Sequence, residues 1–305
     1  MDKNFNISAA VIWYNPQKDD VSNVNTYAFY FSKVFIIDNS DIDNSHLANE
    51  IKNAVYVPNK KNLGIATALN QACHLAKQEG FEWLMTMDMD SFFDSTQLNI
   101  YMNFVIDFSK NNSNVKSFSI RQKESDNNPI PISKWIRFNI LSPIKRKILG
   151  KKYQPKNIVL PSYEYKNTVM TSANIINLHT WNEIGFFDDN LFIDEVDHNY
   201  CIRLRLLNYE IVKCNEAYVF HTLGNKKISL FPKIAYENDF RLFYIFRNLM
   251  IENKRFGSLA IAPNYKNEIL NYIKDYCIFS LHPLKHLGIF IHAYKEYKKF
   301  IKEYN

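Results

Sequence analysis

Between Ile7 and Asp90, four short apolar runs each stop at polar residues, and this punctuation restricts the fold more than any other feature of the chain. Residues 7–14 end at Asn15-Pro16, residues 34–37 at Asp38-Asn39-Ser40, residues 55–57 at Pro58-Asn59, and residues 83–87 at Asp88-Met89-Asp90. Short apolar runs bounded by turn residues read as buried strands. Between the third and fourth lies a helical pattern over 65–78. It has Ile65, Ala68, Leu69, Ala72, Leu75 and Ala76 on one face and Gly80 as its stop. A helix over about 95–108 and a strand over 115–120 extend the alternation. Such a series predicts an α/β fold, a Rossmann-like doubly wound and mostly parallel sheet that binds ligands beyond the carboxyl ends of its strands.

The 305 residues suffice for one large domain and an appendage, and 47% apolar with 22% charged content is ordinary for a globular protein. The spacing predicts a domain over residues 1–230 and a helical region over 231–305. Residues 121–166 contain five prolines, among them Pro129, Pro131 and Pro143, and read as an irregular insertion. After it come a strand over 168–176, a helix after Leu178, a helix over 194–207, and strands over 210–213 and 217–220 that lead to His221. The four cysteines, Cys73, Cys201, Cys214 and Cys277, have no C-x-x-C spacing, which argues against zinc and disulfides and for a reducing compartment. The first residues lack a signal-peptide pattern, and no stretch of about 18 apolar residues exists to span a membrane, so a cytoplasmic location is expected. A net charge of +6 suits an anionic substrate or membrane surface without requiring nucleic acid.

In a doubly wound sheet the strand ends lie side by side, so Asn15, Asp38, Asn39, Asn59, Asp88 and Asp90 converge on one crevice. Asp88 and Asp90, two apart at a strand end, point the same way and suit a hard divalent cation carrying a diphosphate. Asn62-Leu63-Gly64 opens the helix at Ile65, whose free amides would face the same crevice and welcome a phosphate. The sequence has neither G-x-G-x-x-G nor G-x-x-x-x-G-K-[ST], so dehydrogenase and P-loop readings lack their fingerprint.

Five blocks occur in an order that resembles family 2 glycosyltransferases of the GT-A fold, in their bacterial rhamnosyltransferase-like branch. They are Val11-Ile12-Trp13-Tyr14-Asn15-Pro16, Ile37-Asp38-Asn39-Ser40, Asn62-Leu63-Gly64-Ile65-Ala66, Met87-Asp88-Met89-Asp90-Ser91 and Phe192-Ile193-Asp194-Glu195-Val196-Asp197. The similarity runs from about residue 8 to 250. It implies an inverting transferase that uses Mn²⁺ or Mg²⁺ and a dTDP- or UDP-linked sugar, with dTDP-L-rhamnose first and UDP-galactofuranose second. It further implies that Tyr14, Asn15, Asp38, Asn39, Asn62, Gly64 and Asp88 bind the donor nucleotide, Asp38 through its base. Asp88, Asp90 and His221 would hold the metal, with Asp90 the direct ligand. Trp13 departs from the Thr or Ser common at its position.

Inversion by direct displacement needs one carboxylate base, because the metal neutralises the leaving diphosphate. Asp194, Glu195 and Asp197 are the candidates. One alignment favours Glu195 and another favours Asp194, while Asp197 sits at the edge of a stripe of Val196, Tyr200, Leu204 and Leu207. His198 reads as a packing or surface residue. The resemblance places the 121–166 insertion on the acceptor side, facing a surface glycan (capsule, O-antigen or similar) whose precursor is linked to polyprenyl diphosphate. In the tail, Leu284, Leu287, Phe290, Ile291, Tyr294, Tyr297 and Ile301 recur at helical spacing beside several lysines. Such a helix can lie on an anionic membrane, pack on the body, or join two copies in an oligomer. The rival classes are a nucleotidyltransferase, which would show a glycine-rich phosphate loop, and an inactive GT-A scaffold, which would have lost its acidic motifs.

Overall fold

The computed structural model describes residues 5–124, 160–221, 238–259, 265–273 and 282–304. Four parallel strands form one half of the sheet: β1 (Ile7–Trp13), β2 (Val34–Asp38), β3 (Ala54–Pro58) and β4 (Trp83–Asp88). The registers pair Trp13 with Asp38, Asp38 with Pro58 and Ile12 with Asp88, so the carboxyl ends of all four strands are level. Helices α1 (Lys18–Ala28), α2 (Ser45–Ala48) and α3 (Ile65–Gln78) connect them. Neither α1 nor α2 stands out in the sequence, because α1 is mostly polar and α2 is one turn long.

The strand residues alternate between two cores. Ala9, Val11 and Trp13 of β1 enter the core shared with α1 and with α4 (Ser95–Asn111), whereas Ala10 and Ile12 enter the one shared with α3. Burial on both faces is what a parallel sheet covered by helices requires, and it explains why these strands read as continuous apolar runs.

The second half of the sheet is mixed. Past β4 the order is β8 (Asn174–Asn177), β6 (Val115–Glu124), β9 (Glu210–His221) and the two-residue β5 (Ser91–Phe92), with β7 (Tyr163–Tyr165) also on β9. β8 runs antiparallel to β4 and β6, while β6 and β9 are parallel. The strand expected over 168–176 is confined to Asn174–Asn177. A turn precedes it, with Ala173 at φ 56° and Asn174 N–H donating to the Thr171 carbonyl at 3.1 Å. The two strands expected near 210–220 are one, with an irregularity in its pairing to β6 between Ile120 and Arg121.

Helices α5 (Leu178–Glu183) and α6 (Val196–Leu206) follow β8 and flank the α3 side. Helix α6 starts two residues later than the sequence suggests. Val196, Tyr200 and Leu204 form its buried stripe, but Leu207 lies beyond the helix end and is exposed. The described tail is helical: α7 (Asp239–Phe256), α8 (Tyr265–Ile273) and α9 (Pro283–Tyr304). A separate small core of Leu242, Phe246, Met250, Phe290 and Ala293 joins α7 to α9. Most of the 121–166 insertion, with Pro129, Pro131 and Pro143, lies outside the described residues, as does Cys277. Cys73, Cys201 and Cys214 are buried and free. Among the described residues no helix is long and apolar enough to cross a membrane.

Candidate active site

At the level end of the parallel half, Asp88 closes β4, and Met89-Asp90 turn the chain into β5. β5 pairs with the end of β9 so that Ser91 faces His221. Ligand atoms of Asp88, Asp90 and His221 all lie within 4.8 Å of one another, the geometry of a shared cation. His221 Nδ1 is 3.3 Å from Asp90 Oδ1 and 2.8 Å from Ser91 Oγ, while Ser172 Oγ donates to Ser91 Oγ at 2.7 Å. A chain of two buried hydroxyls thus fixes the imidazole, as an orienting partner does for a ligating histidine.

The electrostatics point the same way. Burial, then the charges of Asp90 and Asp197, push the Asp88 carboxyl up to about 7, against the pull of Arg241. Burial also raises Asp90, with His221 opposing. Asp197 is raised by burial and drawn back by His198, and Asp194 is raised by burial and drawn back by Arg241. Four carboxylates crowded above their usual range constitute an excess of buried negative charge that a divalent cation neutralises. Two carboxylate oxygens with one imidazole nitrogen is a donor set that fits Mn²⁺ or Mg²⁺.

The Asp197 carboxyl acts on Asp88 because the loop before α6 brings the acidic block over the end of β4. That loop is bent unusually. Phe192, Asp194 and Glu195 have φ of 64°, 60° and 62°, and none is glycine. Left-handed backbone at such residues costs about 1–3 kcal/mol each and persists only where surroundings hold it. Helix α7 supplies the holding groups. Asn248 Nδ2 donates to the carbonyls of Leu191 and Ile193, both at 2.8 Å, and of Asp194 at 3.0 Å. Arg247 adds bonds to the carbonyls of Asn190 (2.5 Å) and Leu191 (3.3 Å). Arg241 grips both oxygens of Asp194, its shortest contact being 2.8 Å. Below the loop, Asn199 donates to Glu252 at 3.0 and 3.1 Å and accepts from Arg203 at 2.7 Å.

The three acidic candidates are therefore in different states. Asp194 is bound by Arg241. Asp197 Oδ1 accepts from the His198 amide at 2.8 Å. Glu195 Oε2 is 3.1 Å from His198 Nδ1, and Oε1 has no hydrogen-bond partner among the described residues. Burial alone would lower the His198 pKa, but its hydrogen bond to Glu195 and the charges of Asp197, Glu195 and Glu252 override that and raise it to about 8. The residue that reads as packing or surface in the sequence is a cation beside the acids at neutral pH.

On the nucleotide side, Asp38 is buried and its oxygens are filled. Oδ1 accepts from the Ser40 amide (2.9 Å) and hydroxyl (2.5 Å), and Oδ2 from Asn44 (2.8 Å) and Tyr56 (2.7 Å). Asn39 is likewise buried, donating to the Gly64 carbonyl at 3.1 Å and accepting from Asn59 at 2.8 Å. Tyr14, Asn15 and Asn62 are exposed at the same rim, and Asn15 N–H donates to Ser40 Oγ at 2.7 Å. Two of the amides expected to be free at the start of α3 are not. Ile65 and Ala66 donate to the Phe192 carbonyl at 2.6 and 3.4 Å, so the acidic loop caps this helix. Gly64, at φ 85°, makes that possible, since a Cβ there would lie 2.7 Å from both the Phe192 carbonyl oxygen and its ring.

The family model for "Glycosyl transferase family 2" matches residues 21–215, about two thirds of the chain and every strand just described except β1 and the last six residues of β9. This protein belongs to glycosyl transferase family 2. The family 2 chain is 25% identical over 272 residues to a dTDP-rhamnosyl transferase, RfbF, of Shigella flexneri, covering 81% of this chain and 80% of that one. Among solved structures, GalNAc-T7 with UDP, GalNAc and Mn²⁺ matches 93% of the chain at a TM-score of 0.53 and 13% identity. TarS of S. aureus matches 94% at a TM-score of 0.49 and 17% identity. The chain spans 59% of the GalNAc-T7 chain and 49% of the TarS chain. The glycosyltransferase fold agrees with the doubly wound sheet and acidic strand end.

Sequence reasoning about this family 2 glycosyltransferase missed Arg241, Asn248, Ser91, Tyr56 and His198. Ser91, which closes the block Met87-Asp88-Met89-Asp90-Ser91, and His198, which directly follows the acidic block, carried a local signal. The others sit in apolar strands or in a helix 40 or more residues away from what they hold.

Proposed function

We propose that this chain is an inverting, divalent-metal-dependent hexosyltransferase that moves L-rhamnose from dTDP-rhamnose to a growing bacterial surface glycan. The observation that carries the metal-dependent part is the convergence of Asp88, Asp90 and His221 within 4.8 Å at the strand end faced by the acidic loop. The rhamnosyl donor is supported by the relative in Shigella flexneri. A polyprenyl-diphosphate-linked acceptor at the cytoplasmic face would fit a chain of net charge +6.

In this reading Asp88, Asp90 and His221 would hold Mn²⁺ or Mg²⁺, whose charge would neutralise the leaving diphosphate. Tyr14, Asn15 and Asn62 line the nucleotide rim, while Asp38, Asn39 and Gly64 shape it from below. Glu195 is the base. Its Oε1 takes the proton of the acceptor hydroxyl as that oxygen attacks the anomeric carbon and the bond to the diphosphate breaks, inverting the centre. Asp194, held by Arg241, and Asp197, held by His198, fix the loop that presents Glu195. A single base suffices, unlike the two carboxylates of a glycosidase.

The test is a donor panel: purified protein with Mn²⁺ and dTDP-, UDP- and GDP-sugars, scoring free nucleotide. Release from dTDP-rhamnose alone is expected. Release from UDP-galactofuranose alone would replace the donor assignment and keep the chemistry. Release that EDTA leaves unchanged would overturn metal dependence.

A further inference from the structure

Helix α9 has two apolar surfaces, and one of them packs against α7. Phe290 and Ala293 are buried against α7, with the Phe246 and Phe290 rings 4.4 Å apart. Asp239 reinforces the contact by pairing with Lys285 and His286. On the flank beside this stripe Leu284 is 82% exposed, Leu287 42%, Ile291 49% and Tyr294 48%. Steps of three and four residues place these four in one row, about 15 Å long. The row does not end at Tyr294. It continues on the same face with Lys295, Lys298 and Lys302, all exposed, and the Lys298 ammonium lies 5.5 Å from the centre of the Tyr294 ring. The outward face of α9 is thus apolar over its first three turns and cationic over the rest. The acidic residues of this segment, Glu296 and Glu303, project about a third of a turn away from it.

We propose that this face docks on an anionic lipid surface, with Leu284, Leu287, Ile291 and Tyr294 entering the interface and the lysines meeting the headgroups. Apolar side chains laid in the plane of a bilayer gain by leaving water, and lysines beside them gain from the negative surface potential. Tyr294, where the two parts meet, has the amphipathic ring that settles at such a boundary. A second copy of the chain is a poorer occupant. In a parallel pair the lysine rows would face each other, and in an antiparallel pair they would cover the apolar row with no acid to receive them.

The experiment is flotation of the full chain with vesicles of phosphatidylcholine alone and of phosphatidylcholine mixed with phosphatidylglycerol. Binding to the anionic vesicles only, weakening as salt rises, is expected. Replacing Lys295, Lys298 and Lys302 together by glutamine should lower the partition coefficient roughly hundredfold, about fivefold for each lysine. Leu284→Glu with Ile291→Glu should lower it at least tenfold, while circular dichroism and nucleotide release stay as in the parent. No binding to anionic vesicles, or equal binding by both variants, would overturn the proposal. So would a dimer that Ile291→Glu dissociates in a protein that ignores vesicles.

Discussion

Asp90, in the turn after β4, and His221, at the end of β9, are more than a hundred residues apart in sequence and meet at 3.3 Å. If that meeting exists to hold a cation, Asp90→Ala should abolish the Mn²⁺-dependent part of nucleotide binding in calorimetry. Nucleotide affinity that still rises with Mn²⁺ in the variant would remove Asp90 from the metal. Glu195→Gln should keep donor binding while turnover falls by a factor of roughly a hundred or more, the usual cost of losing a general base. If turnover survives, Asp197 becomes the base. His198 supports a prediction about pH. Its folded pKa of about 8 lies above the reference 6.5, so its contribution to stability is complete below about 6.5 and is lost as pH rises through 8. Melting temperatures of the parent and of His198→Gln should therefore converge across that window. A constant gap between the two curves would show that His198 does not carry a proton there.

Helix α7 and the acidic loop form a clamp. Because Asn248 binds three carbonyls of a loop with three left-handed residues, Asn248→Ala should release it. The predicted signature is a loss of about tenfold or more in turnover with donor affinity kept, and faster amide exchange over 190–196. A change in donor affinity alone would instead place Asn248 in the nucleotide pocket. The clamp also marks where sequence reading stops. The strands β1, β2 and β4 were legible because burial on both faces makes each a bounded apolar run, and the partly buried edge strand β3 was legible from Val55-Tyr56-Val57 and the turn residues after it. The acids at 194–197 were legible as candidates, but not their separate states, which depend on Arg241 and on His198. The strand expected over 168–176 failed because apolar content does not reveal the turn at Ala173. That two amides of α3 are already bonded was not legible, because nothing near Ile65 in the sequence announces the carbonyl of Phe192.

At the scale of the molecule, nucleotide and metal together should raise the melting temperature by several degrees at concentrations far above their dissociation constants, and EDTA should reverse the shift. The same treatment should leave an Asp88→Asn, Asp90→Asn variant unmoved; a shift in that variant would place the binding elsewhere. The nucleotide half of the sheet meets the acidic loop where the backbone of Phe192 rests on Gly64, beside the bonds of Thr67 and Asn70 to Asp189. Gly64→Ala meets both a forbidden dihedral and a backbone oxygen, so a smaller side chain at 192 does not relieve it. Position 64 therefore has no neutral neighbours in sequence space. While α3 and the α6 loop keep this joint, the lineage cannot leave this glycine by a single step.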